Sequence, residues 1–104
     1  MKHLRILIAL AVAVAAGGAW ANPEAAMNKA GCMACHSKDK KLVGPAFKDI
    51  AARYKGQADA VPKLMAKVRQ GGSGVFGPVP MAPNPPDKIN DADLKSAVEF
   101  ILKS

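Results

Sequence analysis

The chain has 104 residues, half of them hydrophobic, and carries 15 lysines and arginines against 8 aspartates and glutamates, a formal net charge of +7. That length accommodates one domain. The basic residues are dispersed instead of gathered in a tract, which together with the export signal described next argues against nucleic-acid binding.

Residues 1–21, MKHLRILIALAVAVAAGGAWA, open with Lys2 and Arg5, continue through an apolar run from Ile6 to Ala16, and end with Ala19 and Ala21 spaced as a cleavage site. The segment reads as a secretory signal cut near Ala21. Its apolar run is shorter than the roughly 18 residues a membrane-spanning helix needs, so an uncleaved anchor is the weaker reading. Cleavage leaves a domain at 22–104, exported to the periplasm and not anchored to the membrane. Losing Lys2 and Arg5 leaves 13 basic against 8 acidic residues, and His36 becomes the only histidine.

The spacing predicts four helices and no strand. Pro23 to about Lys29 or Ala30 is alanine-rich, with Pro23 suited to a first turn, and its continuation carries GCMACHS at 31–37. Residues 45–54, PAFKDIAARY, align Phe47, Ile50, Ala51 and Tyr54 on one face before Gly56. A third helix is expected from Asp59, as cap, to Gln70, with Val61, Leu64, Met65 and Val68 apolar and Gly71 beyond its end. Residues 71–90, GGSGVFGPVPMAPNPPDKIN, hold four glycines and five prolines and read as a loop. Val75, Phe76, Val79, Met81 and Ile89 are more apolar than a free linker requires, so the loop is expected to pack on something. Last, Asn90 can cap a helix from Asp91 to Lys103, with Leu94, Ala97, Val98, Ile101 and Leu102 as its buried stripe.

A domain this small builds a marginal core and usually recruits a disulfide, a metal or another filler. Cys32 and Cys35 are the only cysteines, and four readings compete for them. A disulfide suits an oxidising compartment. A thiol oxidoreductase of thioredoxin type needs a βαβ setting that is missing. Zinc wants four ligands where three crowded donors exist. Covalent haem c fits best: two intervening residues let the thiols span the two vinyl groups, and His36 follows at once to ligate the iron.

With no second histidine after cleavage, a bis-histidine iron is excluded, and methionine is the leading sixth ligand. Met65 sits at core spacing, Met33 lies between the cysteines and Met27 is only a short way upstream of them. Met81, in the proline-stiffened VPMAPNPP, is the favoured ligand. An iron held on both sides has no open position for substrate and moves single electrons. A haem enzyme or gas sensor with a dissociable Met81 is the alternative.

GCMACHSKDKKLVGPAFKDIAARYKGQ, followed by GGSGVFGPVPMAPN, resembles the small bacterial class I cytochromes c of the c-551/c-552 (c8) type over essentially the whole mature chain. The resemblance implies an all-α single domain of about four helices wrapped around one covalent haem c. It assigns Cys32 and Cys35 as thioether attachments, His36 as proximal ligand and Met81 as distal ligand. It implies further that the Pro45 carbonyl accepts from the imidazole of His36, that Asn84 hydrogen-bonds near the methionine sulfur, and that Lys67 and Arg69 lie near a haem propionate. Phe76 stands where the family commonly has tryptophan; it keeps the packing and lacks the indole N–H. Relatives of this type work as monomeric carriers between a membrane quinol-oxidising complex and a terminal reductase or oxidase. The net positive charge fits partners with acidic docking surfaces, with Lys38, Lys40, Lys41, Lys48, Lys55 and Lys88 as candidates for steering.

Overall fold

The computed structural model describes residues 22–104; the signal read at 1–21 lies outside the described residues. Four α-helices dominate: α1 (Pro23–Ala30), α2 (Phe47–Tyr54), α3 (Ala60–Gln70) and α4 (Asp91–Leu102). The side chain of Asn22 caps α1 by accepting from the N–H of Ala25 at 3.1 Å, and Pro23 supplies a preset φ at its first position. The helix does not continue into the cysteine segment. Gly31 adopts φ 87, a left-handed conformation open to glycine, and Cys32–Ala34 forms a separate 3-10 turn.

α2 starts at Phe47, two residues later than the periodicity suggests, because Ala46 is extended. Its first N–H groups are satisfied from outside the helix, Phe47 donating to Ser37 at 2.9 Å and Lys48 to Lys38 at 3.2 Å. Asp59 makes no capping hydrogen bond to α3; its carboxylate pairs instead with Lys63 one turn on, at 3.4 Å. Asn90 does cap α4, accepting from the N–H of Asp93 at 2.8 Å, while Asp91 and Asp93 favour the positive end of the helix.

The expectation of no strand is corrected. β1 (Gly72–Gly74) and β2 (Gly77–Met81) form an antiparallel hairpin with Gly72 opposite Met81 and Gly74 opposite Gly77. Neither GSG nor GPVPM alternates polar and apolar residues, so nothing in the pattern marks them. The reversal depends on Gly74 and Gly77, at φ 122 and φ 103. Pro78 and Pro80 are tolerated because a two-stranded ribbon leaves alternate N–H groups unpaired.

α4 packs against α1, α2 and α3. Between them lies one buried cluster of Met27, Phe47, Ile50, Leu64, Ile89, Leu94, Ala97 and Val98. Ile89 comes from the 71–90 segment, so part of that segment enters the core. Among the described residues no helix is long and apolar enough to cross a membrane.

Candidate functional site

The 3-10 turn gathers the two thiols and the imidazole. The N–H groups of Cys35 and His36 both return to the carbonyl of Cys32, at 3.2 and 3.0 Å, and Gly44 donates to the carbonyl of Cys35 at 2.7 Å. Cys32 is half-buried and Cys35 is exposed. Burial pushes the Cys32 thiol above its ordinary pKa, and neighbouring Cys35 adds to the rise. An unmodified Cys32 is therefore held further from the thiolate form that a redox dithiol exploits.

His36 is fixed on three sides. Its Nδ1 lies 2.8 Å from the carbonyl oxygen of Pro45. A carbonyl oxygen only accepts, so the proton sits on Nδ1 and Nε2 keeps its lone pair for a metal. The ring stacks on Phe47 with centroids 5.5 Å apart and planes 22° from parallel. Gly44 closes the third side: a Cβ there would stand 2.5 Å from the imidazole Cε1.

Met81 arrives from a different part of the chain, at the end of β2. Behind it, Gly71 at the C-terminus of α3 approaches the returning backbone so tightly that a Cβ would lie 2.8 Å from the Pro83 nitrogen. Asn84, buried at 7% exposure, then ties the segment to α3.

These residues converge on a cavity of about 590 Å³. Cys32, Cys35, His36 and Met81 all line it, and so does every member of the buried cluster from Met27 to Val98. The core is thus built as an apolar wall around a space in the ~300–1,000 Å³ range of cofactor pockets. Soft sulfur and imidazole donors within apolar walls are the donor set that haem iron uses. The residues present fit that group. Of the four methionines in 22–104, Met33 and Met65 do not line the cavity, and Met27 lies in the core at 1% exposure. Among the described residues, no group of three or more His, Cys, Asp or Glu side chains is placed to hold a metal ion.

The remaining expected site residues divide. Pro45, Lys67 and Phe76 line the cavity, Phe76 at its mouth and 42% exposed. Arg69 does not line it. Its guanidinium is taken by the carbonyls of Asn84 and Ile89 and the carboxylate of Asp91. The side-chain amide of Asn84 donates to the carbonyls of Ala82 at 3.1 Å and Val68 at 3.4 Å, so it braces the backbone next to Met81 and not the sulfur itself. Gly44 and Phe47 escaped the sequence reading as site residues. The only available signal was their place in VGPAF, beside Pro45.

The cytochrome c family model matches residues 21–104. A cytochrome c2 of Rubrivivax gelatinosus is 51% identical over 85 residues, covering 81% of this chain and 99% of that relative. A cytochrome c-551 of Pseudomonas aeruginosa is 41% identical over 104 residues, covering 98% of this chain and 97% of that relative. The crystal structure of wild-type Nitrosomonas europaea cytochrome c552 superposes with a TM-score of 0.71 at 44% identity, covering 77% of this chain and 96% of that one. The chain belongs to the cytochrome c family. Within it the chain is a small class I cytochrome of the c-551/c-552 type, a monohaem electron carrier with one covalently attached haem c, and not an enzyme.

Proposed function

We propose that this cytochrome is a periplasmic one-electron carrier between a membrane quinol-oxidising complex and a terminal reductase or oxidase, with His36 and Met81 as axial ligands. Bound haem c supplies a one-electron Fe(III)/Fe(II) couple. Cys32 and Cys35 hold it through thioethers. His36 would offer it Nε2, since Pro45 holds the proton on Nδ1. Met81 would offer it a soft thioether, which favours the reduced state, and with both engaged no position on the iron would be left for substrate.

The observation that carries the reading is the joint presence of Cys32, Cys35, His36 and Met81 on the wall of one cavity enclosed by the whole buried cluster. Transfer to partners is supported by the mouth of that cavity, where Val43, Val75, Phe76 and Val79 are exposed at 56, 44, 42 and 58%. Lys38, Lys40, Lys41, Lys48, Lys55 and Lys88 are exposed as well, and Lys41 borders the cavity. An apolar contact zone with basic residues nearby suits brief docking on acidic surfaces. Export rests on the 1–21 segment.

The test is an intact mass and a visible spectrum on protein matured in the periplasm. One covalent haem, a low-spin spectrum and slow binding of carbon monoxide are expected, with Met81→Ala turning the iron high-spin and quick to bind it. A parent protein that is already high-spin removes the two-ligand assignment.

A further inference from the structure

The last turn of α3 holds the chain just beyond Met81 at more points than ending a helix requires. The Val68 carbonyl accepts from the backbone N–H of Asn84 at 3.0 Å and from its side-chain amide at 3.4 Å. Arg69 adds a fork. Its Nη1 donates to the Asn84 carbonyl at 3.0 Å and the Ile89 carbonyl at 2.7 Å, and its Nη2 donates to the Asp91 carboxylate at 2.6 Å. One guanidinium therefore fastens both ends of the 84–89 turn and the first residue of α4 to α3. The Arg69 side chain is 20% exposed and that of Asp91 is 86% exposed. Solvent screens the ion pair, so the two shielded carbonyl bonds carry the fastening.

We infer that Arg69 is a positioning residue for Met81, acting through Asn84 to control how often the methionine side of the site opens. This rests on Met81 being the axial ligand. Met81 is anchored upstream by its pairing with Gly72 and downstream by Asn84, whose N–H and C=O are both engaged. Releasing the Asn84 carbonyl and the 84–89 turn lengthens the stretch that can swing away from α3. None of these bonds touches His36, so the other side of the site stays as it is. Lysine can reach one carbonyl, but its single ammonium lacks the planar fork that spans three acceptors.

The experiment mixes ferric holoprotein with imidazole, which competes for the position Met81 takes, and reads the limiting rate at saturating imidazole by stopped flow. Arg69→Met is expected to raise that rate about tenfold, the effect of losing roughly one charge-assisted hydrogen bond. Arg69→Lys recovers part of the difference, and Asp91→Asn stays within about twofold of the parent because its pair is screened. Leu102→Ala, which weakens the packing of α4 away from the cavity and leaves the Arg69 bonds in place, serves as the stability control. An unchanged limiting rate in Arg69→Met overturns the inference, and so does equal acceleration in Leu102→Ala at matched unfolding free energy. A parent whose binding rate climbs with imidazole without reaching a limit has no protein ligand to displace; that result overturns the Met81 assignment itself, and is told apart by appearing before any substitution is made.

Discussion

The Nδ1 atom of His36 donates to the carbonyl oxygen of Pro45 at 2.8 Å, and this bond decides which imidazole nitrogen is free to meet iron. It also makes the ring a better electron donor, which favours the ferric state. Pro45→Ala frees φ at that position and loosens the carbonyl. A bond weakened by about 0.5 kcal/mol raises the reduction potential by about 20 mV, at 59 mV per tenfold for one electron. Protein-film voltammetry on the holoprotein checks this; a fall in potential contradicts the donor argument.

Gly44 has no room for a side chain, because a Cβ would stand 2.5 Å from Cε1, 2.9 Å from Nδ1 and 3.0 Å from Nε2 of His36. Gly44→Ala should cost about 1–3 kcal/mol by overpacking and shift the iron spectrum together with the stability. Urea unfolding followed in the haem band measures both. A variant with parental stability and spectrum shows that the ring has space to move.

Phe47 is 1% exposed and stacks on His36, so it serves the core and the ligand at once. Phe47→Ala is expected to cost about 3–5 kcal/mol. Phe47→Leu keeps most of the volume and loses the flat face, so the cost should fall below that of alanine while the imidazole becomes less ordered. Histidine ring resonances in the NMR spectrum of the reduced protein report the order directly.

Every residue of the buried cluster lines the cavity, so haem adds its own apolar surface to a core that is small for one domain. A chain with Cys32→Ser and Cys35→Ser, prepared without haem, should show little helix by far-UV circular dichroism and no cooperative urea transition. A sharp two-state transition in that chain would falsify the view that the cofactor completes the core.

Electron transfer to an acidic partner should slow as salt is added. The six lysines named as steering candidates predict a second-order rate that drops roughly tenfold from low to high ionic strength, and Lys41→Glu should flatten the slope. Stopped-flow oxidation across a salt series decides it; a flat profile removes charge from the encounter.

How much of this is legible in the sequence depends on how local each feature is. The thiols and His36 occupy five residues, and their chemistry is written in that spacing. The ends of α1 and α4 follow from Asn22, Pro23 and Asn90, whose caps reach three residues or fewer. The hairpin was hidden because glycine and proline mark a turn without marking which strands flank it. The hydrogen bonds of Arg69 were hidden for a different reason: its acceptors lie 15, 20 and 22 residues away, and no local pattern says where the chain returns. Gly44 and Phe47 were overlooked because their importance comes from what stands beside them in space.

α4 packs against all three other helices, yet it is the last element of the chain. Synthesis from the N-terminus therefore delivers Met27, Phe47, Ile50 and Leu64 well before Leu94, Ala97 and Val98 can pack on them. Through that interval the interior stands incomplete, and α4 is the element that closes it.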